Sequence, residues 1–418
     1  MLKIVTISFS LNKGGAGLAA NNFRHLLVNN KSSSKGDSIT QDDAGKYQFF
    51  KRLISLALSK LQLDGNPIKH SLNLFSYQPI LNSFRCTKDI LYHIHWMNND
   101  TLSVFDFDKI PPGTIITLHD EWLYCGSEHH YIVSDNSNKF ISGYQFFKSG
   151  VFGINWNYFI WKVKYRKLAH RDDLIYTVPS SWMLERAKSS AILNKSNILL
   201  LPNPINTEIF KPSAKDIVNT FRSSLNIDNN SFVIAFPTFL GKKNQLKGIN
   251  LLNSAFELLQ SKTYKNFISK IILIDFGGST GESIVHGFRK ISIGQINDPS
   301  FLAKLYSAAD CVVVPSMIES FGQVAAEALS CSTPVVCFDT SGLRDIVLQH
   351  YTGLVAESFS PTSLCEQLLD MINTSKKARL VMGKNGRKHV IENFSFPIIT
   401  KKYLNILEDA AKLKKITG

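Results

Sequence analysis

A strand–helix–strand segment in the second half of the sequence constrains the fold more than any other feature. Short apolar strands are predicted at 311–315 and 334–338, and a helical pattern lies between them. Two strands joined by one helix run parallel, because the helix returns the chain to the same end of the sheet. An α/β fold, with helices packed on a parallel sheet, is therefore predicted.

The start of the helix in this segment has the residues of an anion site. Ser320 and Gln323 form a Ser-x-x-Gln pattern, which predicts a capping box. Phe321 begins an apolar stripe at helical spacing, so this face of the helix should be buried. The unpaired N–H groups of a helix start bind anions such as phosphate. Glu319 and Glu327 flank this turn and indicate a nucleotide sugar, unless both are ordinary helix acids in solvent.

The same alternation of strands and helices appears in both halves of the 418-residue chain. Further strands are predicted at 3–9, 90–96, 114–122, 175–178, 231–236 and 271–276, and the polar stretch 30–45 predicts a loop. A proline-rich stretch at 199–212 predicts a stiff link, since proline fixes φ. Two domains are therefore predicted, residues 1–204 and residues 205–396.

Glycines and polar residues follow the predicted strands of the first domain. Gly15 and Gly17 lie in a glycine-rich loop between a strand and a helix, which is typical of either a phosphate cradle or a tight turn. His119 and Asp120 lie towards the end of the strand predicted at 114–122. Ligands of open α/β sheets bind beyond the carboxyl ends of the strands. These residues are therefore expected near a cleft.

The formal net charge of +14 indicates an anionic partner, and both halves of the chain share the positive excess. Nucleic acid, an anionic membrane surface and charged substrates are the candidates. The sequence shows no zinc-finger spacing and no RNA-binding sheet signature, so a nucleic-acid partner is not expected.

Two segments combine basic and aromatic residues. Residues 47–61 predict an amphipathic helix that either packs on the core as a surface helix or meets lipid headgroups. Residues 136–171 contain many basic and aromatic side chains and no acid. This mixture is found at membrane interfaces, in base-stacking surfaces and in ordinary packed helices. The alternatives stay open at this point.

The cysteines and the hydropathy pattern indicate a compartment. The six cysteines lack metal-binding spacing, and three lie in or beside apolar strands, which indicates buried thiols in a reducing compartment. No signal peptide is visible and no apolar run is long enough for a transmembrane helix. We expect a cytoplasmic protein that can also lie peripherally at the inner face of the cytoplasmic membrane.

Asp106 and Asp108 form an Asp-x-Asp pair, a pattern that binds a metal in some enzymes. Such a motif would end a buried strand, whereas this pair follows a polar stretch and precedes two prolines. A surface helix or turn is predicted instead, and no metal site.

The segment from Glu319 to Glu327 resembles a known pattern. Two glutamates eight positions apart, with Phe321 and Gly322 between them, are similar to the Glu-x7-Glu motif of retaining GT-B glycosyltransferases of family 4, also called group 1. The residues that follow are also similar, with Ser332 where the family usually has glycine. The motif Thr-Leu-His-Asp-x-Trp at 117–122, whose histidine is His119, resembles the exopolysaccharide and O-antigen branch of that family.

This resemblance implies a GT-B fold, with two Rossmann-like domains whose parallel sheets face one another across a cleft. It also implies that the last helix, within 397–418, packs back on the first domain. The expected reaction moves a hexose from a nucleotide-diphosphate sugar to a hydroxyl of a saccharide, expected to be lipid-linked, in surface polysaccharide or lipopolysaccharide assembly. The anomeric configuration is retained, and no metal or other cofactor is expected.

The resemblance also assigns roles in donor binding. Glu319 is expected at the transferred sugar and Glu327 at the ribose hydroxyls. The diphosphate is expected to meet Lys247 and the N–H groups of three successive residues, which are Ser320, Phe321 and Gly322. The family usually has an arginine six residues before this lysine, where the chain has Gly241, and Lys242 or Lys243 is a candidate replacement.

The first domain supplies the remaining expected contacts. Gly15 and Gly17 match a loop that approaches the donor phosphates in the family, whereas His119 and Asp120 are expected on the acceptor side. Two alternative functions remain, a GT-B sugar-nucleotide epimerase and a non-catalytic GT-B protein that binds glycans or acts as a scaffold.

Overall fold

The computed structural model describes residues 3–29, 37–66, 68–85, 89–131, 138–147, 152–238, 245–263 and 268–417. The chain forms two compact units. The first comprises Met1–Asn203 and Ile399–Gly418, and the second comprises Pro204–Ile398. The sequence had placed the boundary at 204 and the returning helix at 397.

The first unit is built on a parallel sheet. Its six strands are β1 (Lys3–Ile7), β2 (Asp37–Ile39), β4 (Ile90–Ile94), β5 (Ile115–Thr117), β7 (Ile175–Val178) and β8 (Asn197–Leu200). They lie in the order β2-β1-β4-β5-β7-β8, and every neighbouring pair is parallel. Two short strands, β3 (Gln62–Leu63) and β6 (Phe152–Gly153), pair separately and antiparallel.

Helices connect these strands and cover the sheet. They are α1 (Gly14–Asn29), α2 (Lys46–Ser59), α3 (Gln78–Ser83), α4 (Lys139–Ser142), α5 (Trp156–Leu168), α6 (Ser181–Ser189) and the last helix, labelled α13 (Phe396–Thr417). The last helix is tied to the sheet, because the Tyr403 hydroxyl lies 2.6 Å from Nδ1 of His93. The helix also passes close to Gly113. A Cβ atom added to Gly113 would lie 2.6 Å from the carbonyl oxygen of Ala410 on the helix.

The second unit contains a seven-stranded sheet. Its strands are β9 (Phe232–Pro237), β10 (Ile271–Phe276), β11 (Thr280–Val285), β12 (Phe288–Ile293), β13 (Cys311–Val314), β14 (Val335–Phe338) and β15 (Gly353–Ala356). They lie in the order β11-β12-β10-β9-β13-β14-β15. Only the edge pair β11–β12 is antiparallel among the described strands of this sheet.

Its helices form two apolar layers, one on each face of the sheet. They are α7 (Lys215–Ser224), α8 (Ile249–Lys262), α9 (Pro299–Ala308), α10 (Gln323–Ser330), α11 (Pro361–Asn373) and α12 (Lys376–Phe394). Residues of β10 and β13 are buried throughout, as expected for strands covered on both faces.

Most predicted elements are present, and one prediction was wrong. The strands predicted in both halves and the helix over 47–61 are confirmed. The polar stretch 30–45 was predicted to be a loop, but Asp37–Ile39 forms β2 at the edge of the sheet. Edge strands need only one covered side, so their sequences can be polar.

The cysteine and hydropathy predictions can be compared with the described residues. Five cysteines are free and buried, as predicted, and the sixth, Cys86, lies outside the described residues. Among the helices that the structure describes, none has the length and apolar character needed to cross a bilayer.

The basic and aromatic segment 136–171 is partly structural. Phe140, Ile160, Lys164 and Leu168 are buried. Lys164 Nζ donates to the carbonyl oxygen of Gly126 at 2.7 Å, and burial lowers the pKa of Lys164 to about 7. Ordinary packing therefore explains part of this segment.

Candidate functional site

The loops after β9 and β13 lie where the strand order of the second unit reverses. From β9 the chain continues to β10 on one side, and from β13 it continues to β14 on the other side. Loops that leave neighbouring strands in opposite directions leave a crevice at the carboxyl edge, the usual ligand site of such sheets. Lys247 lies in the segment after β9, and Glu319 lies in the loop after β13.

Glu319 and Lys247 are in direct contact at this crevice. Lys247 Nζ lies 2.6 Å from Glu319 Oε1, and the Ser316 hydroxyl donates to the same oxygen at 2.8 Å. Both charged side chains are partly exposed. An exposed ion pair contributes only about 0–1 kcal/mol to stability. The pair can therefore exchange partners with a ligand at low cost to the fold.

The main chain of Glu319 is held from the other side by a 3₁₀ turn at Ser341–Asp345. The N–H of Glu319 donates to Oγ of Ser341 at 2.8 Å, and the N–H of Gly342 donates to the carbonyl oxygen of Glu319 at 2.8 Å. The approach is close, since a Cβ at Gly342 would lie 2.6 Å from the carbonyl oxygen of Ser320. The position of Glu319 is therefore fixed before any ligand binds.

The predicted capping box is wrong. Helix α10 begins at Gln323, and its N-cap is Gly322 with φ +110°, which makes no side-chain cap. Ser320 lies before the helix, and Gln323 Nε2 donates to Oε1 of Glu327 at 2.8 Å. Glycine adopts positive φ without steric cost, so the chain turns into the helix two residues later than the serine pattern predicted. The N–H groups without an intrahelical acceptor thus begin at Gln323.

Phe321 belongs to the core, as the predicted stripe requires. Its side chain is buried and packs edge-on against Phe394, with ring centroids 5.4 Å apart. Ala325, Ala328 and Leu329 continue the buried stripe. Only main-chain atoms of Phe321 are therefore available to a ligand.

Glu327 is buried, so the alternative of a solvated helix acid is wrong. It is 8% exposed, and it accepts hydrogen bonds from the Tyr306 hydroxyl at 3.2 Å and from Gln323. Burial raises the pKa of this carboxyl to about 7, although both hydrogen bonds oppose that shift. The partners of Glu327 and Glu319 differ, so the two acids have different surroundings.

We expect Glu327→Gln to change the pH dependence of stability. A carboxyl whose pKa is raised by folding favours the folded state while protonated. The wild-type free energy of unfolding should therefore fall as the pH rises from about 4.5 to about 7. The amide cannot ionise, so the variant should gain on the order of 3 kcal/mol relative to wild type across this range.

Urea unfolding at a series of pH values measures this difference. Glu366→Gln is the control, because Glu366 is exposed. A constant difference between Glu327→Gln and wild type from pH 4.5 to 8.5 would contradict the prediction.

Lys247 is positioned by a tight turn. It ends a 3₁₀ turn at Gln245–Lys247, and Gly248 then adopts φ +66° as the N-cap of α8. A Cβ at Gly248 would lie 1.8 Å from the carbonyl oxygen of Pro315. Met317 N donates to the carbonyl oxygen of Leu246 at 2.8 Å, which joins this turn to the loop that carries Glu319. Lys242 and Lys243, the candidate replacements for the arginine of the family, lie outside the described residues.

Gly15 and Gly17 are placed differently from the prediction. Both lie in the first turn of α1, which begins at Gly14, rather than in a loop. A Cβ at Gly17 would meet the carbonyl oxygen of Ser10 at 2.7 Å, whereas the space around Gly15 is open. Gly17 thus allows close packing of the helix start on the preceding loop. Gly15 offers an accessible main chain at a helix N-terminus, where anions bind.

His119 lies after β5 in a group of histidines of the first unit. Its Nε2 is 2.9 Å from Nδ1 of His95, and the two rings are stacked with centroids 5.2 Å apart. Burial lowers the pKa of His119 to about 4, although the charge of Asp120 opposes this. The imidazole is therefore neutral at neutral pH, which a proton acceptor requires.

Asp120 is held by its neighbours in the same group. Its Oδ2 accepts from Nε1 of Trp96 and from Nδ1 of His129, each at 2.7 Å. Burial would raise the pKa of Asp120, but His129 and the other donors lower it below its usual range. Asp120 is therefore an ionised acceptor with a fixed orientation.

Sequence reasoning missed several of these partners. Tyr306, Ser341 and His129 contact the predicted residues but lie in other segments. Tyr306 is on α9 and Glu327 on α10, so no local pattern links them. Of these partners, only His129 lies close in the sequence to the residue it contacts, nine positions after Asp120.

The Asp106 and Asp108 pair lies in a turn, as predicted. Both lie in a 3₁₀ turn at Val104–Lys109. Asp106 pairs with Lys109 at 2.7 Å, and Asp108 pairs with Lys167 at 2.8 Å. In the described ranges, no group of three or more His, Cys, Asp or Glu residues could hold a metal ion.

The chain is similar to known proteins in part of its sequence and in its fold. Residues 289–389, which include Glu319 and Glu327, match the family model described as Glycosyl transferases group 1. A D-inositol 3-phosphate glycosyltransferase of Corynebacterium diphtheriae is 30% identical over 235 residues, 53% of this chain and 52% of that protein. The chain spans about half the length of the curated relatives it matches.

Two solved structures are similar along nearly the whole chain. Sucrose-phosphate synthase from Thermosynechococcus elongatus has a TM-score of 0.66 at 18% identity, with 98% of this chain and 99% of that chain covered. Anabaena HepE in complex with UDP-glucose has a TM-score of 0.63 at 14% identity, with 98% and 100% covered. The predicted fold class, GT-B with parallel sheets in two α/β domains, is confirmed.

Proposed function

We propose that the protein is a glycosyltransferase that moves a sugar from a nucleotide-diphosphate sugar to a saccharide hydroxyl. The observation that carries this proposal is the contact between Lys247 and Glu319 at the crevice of the second unit. A cation, an acid and the N-terminus of α10 occur together there. A negatively charged donor with sugar hydroxyls needs these groups.

The chemistry follows from the charges of these groups. When the bond between the anomeric carbon and the diphosphate oxygen breaks, negative charge grows on the diphosphate. The ammonium of Lys247 and the N–H groups at the start of α10 stabilise that charge. Glu319 accepts hydrogen bonds from the transferred sugar, and Glu327 accepts them from the ribose once it is ionised.

The acceptor side of the proposal uses the first unit. His119, as a neutral imidazole, and Asp120 line the acceptor, and Gly15 and Gly17 approach the donor phosphates. A new bond forms between the acceptor oxygen and the anomeric carbon, the hydroxyl proton passes to the departing diphosphate, and the configuration at that carbon is retained. No residue is assigned as a covalent nucleophile.

A lipid-linked saccharide in surface polysaccharide assembly is our first candidate for the acceptor. This assignment rests on the resemblance of the segment around His119, and it places the protein in the cytoplasm or at the inner face of the membrane. The curated relatives are named D-inositol 3-phosphate glycosyltransferases. An inositol phosphate is therefore the second candidate.

Donor hydrolysis without an acceptor tests the reaction class. We expect slow release of the nucleotide diphosphate and free sugar from one member of a panel of UDP-, GDP-, ADP- and dTDP-sugars. Addition of inositol phosphate or of a lipid-linked saccharide should then accelerate release. An epimerised sugar nucleotide would indicate the epimerase alternative, and an unchanged panel would indicate a non-catalytic protein.

A further inference from the structure

Helix α2 packs on the first unit with its polar side inward. Gln48 and Ser55 are its buried residues. Gln48 Nε2 donates to the carbonyl oxygen of Asp100 at 2.7 Å, and Ser55 Oγ donates to Oδ1 of Asp100 at 2.9 Å. A surface helix ordinarily buries its apolar stripe and exposes its polar residues. In α2 this arrangement is reversed.

The outward side of α2 is consequently apolar. Its large side chains are between 42% and 76% exposed, and they are Tyr47, Phe49, Phe50, Leu53, Ile54 and Leu56. They recur at helical spacing, so they share one face, called here the α2 face. A contiguous exposed apolar surface of this kind marks a site of interaction.

Further apolar residues lie next to the C-terminal end of α2. Trp156 Nε1 donates to the carbonyl oxygen of Leu58 at 2.7 Å, and β3 pairs with β6. The Phe159 ring lies beside Trp156, with centroids 6.3 Å apart, and the Phe146 ring lies beside Phe159, with centroids 5.8 Å apart. Phe147 contacts Phe146 and is 85% exposed. Exposed aromatic residues thus lie beside the C-terminal end of α2.

Basic residues surround the α2 face. Lys46 and Lys60 are exposed at its two ends. Lys51 Nζ lies 4.6 Å from the centroid of the Tyr47 ring, and the Arg52 guanidinium lies 5.8 Å from that of Phe49. The sequence contains no acid between Asp43 and Asp64. A second copy of the chain would present the same positive charges, so charge complementarity favours an anionic partner.

We propose that the α2 face docks on an anionic lipid surface. The apolar side chains enter the boundary between headgroups and acyl chains, and the lysines meet the negative headgroups. This inference deepens the proposed function, since a lipid-linked acceptor is found at such a surface, but lipid binding itself does not require that reaction.

Vesicle flotation tests the inference. We expect the protein to float with phosphatidylcholine vesicles that contain phosphatidylglycerol, and to stay in solution with phosphatidylcholine alone. Phe50→Asp with Leu53→Asp should weaken binding by roughly tenfold or more, because two apolar contacts are lost. Lys46→Glu with Lys60→Glu should weaken it by a similar factor.

The matched control is Leu380→Asp, because Leu380 is also a helical leucine, 56% exposed, but lies on α12 of the second unit. It should float like wild type. Circular dichroism of every variant checks the fold. The proposal is overturned if wild type floats equally with neutral and anionic vesicles. It is also overturned if the variant with Phe50→Asp and Leu53→Asp floats like wild type.

Two further measurements separate the other outcomes. Light scattering without vesicles gives the mass of the protein in solution. If wild type is a dimer and the variant with Phe50→Asp and Leu53→Asp is a monomer, the α2 face is a contact between copies and lipid docking is overturned. Donor hydrolysis without vesicles should be unchanged in these variants. Flotation without any hydrolysis would refute the proposed reaction and leave lipid docking supported.

Discussion

Replacing Glu319 by alanine will lower kcat for sugar transfer by about 10²–10³-fold and leave the unfolding temperature nearly unchanged. The carboxylate is the acid that contacts Lys247, and both side chains are partly exposed. In the proposed reaction, its loss removes an acceptor for the sugar hydroxyls and changes the position of the cation. An exposed pair adds little to stability, so the fold persists.

Steady-state transfer kinetics and thermal melting together measure this expectation. Glu366→Ala is the matched control, because Glu366 also pairs with a lysine, Lys262, on another helix of the second unit. It should keep wild-type kcat. Unchanged product formation by Glu319→Ala would contradict the assignment of this site.

Gly248→Ala should damage both stability and activity. The added methyl group would lie 1.8 Å from the carbonyl oxygen of Pro315, and alanine is disfavoured at φ +66°. We expect a loss of roughly 2–4 kcal/mol in the free energy of unfolding. The turn must also move, which displaces Lys247 and should lower kcat/KM by up to about 100-fold.

Gly287→Ala separates the effect of the close contact with Pro315 from the effect of placing alanine at positive φ. Gly287 also has positive φ, +80°, but its nearest neighbour atom would lie 3.6 Å from the new Cβ. This variant should lose only the backbone contribution, about 1–2 kcal/mol, and keep its activity. Equal losses of stability and activity in the two variants would contradict a special role of the turn at Gly248.

The architecture was predictable because buried parallel strands have a distinctive composition. Runs such as those at β10 and β13 are almost wholly apolar and β-branched, and each is followed by a helical pattern. The edge strand β2 lacked this signal because one side of it is not covered by another strand.

The start of α10 was predictable only in part. The apolar stripe correctly identified the buried face, but Ser320 and Gln323 satisfied a sequence pattern that the backbone does not use. Positive φ at Gly322 and the contact between Gln323 and Glu327 decide the turn instead. The burial of Glu327 depends on Tyr306, which lies on a different helix, and such contacts leave no local pattern.

For α2 the periodicity predicted a helix but not its orientation. An amphipathic pattern defines two faces and leaves open which one packs inward. Contacts of Gln48 and Ser55 with Asp100, about fifty residues away in the sequence, determine the orientation.

The return of α13 to the first unit has a consequence for synthesis on the ribosome. The second unit is one continuous stretch, whereas the first needs Ile399–Gly418. His93 can therefore form its hydrogen bond with Tyr403 only after the whole second unit has been translated. Domains usually fold in the order in which they emerge. In this protein the later unit can complete its folding first, and the earlier unit is completed last.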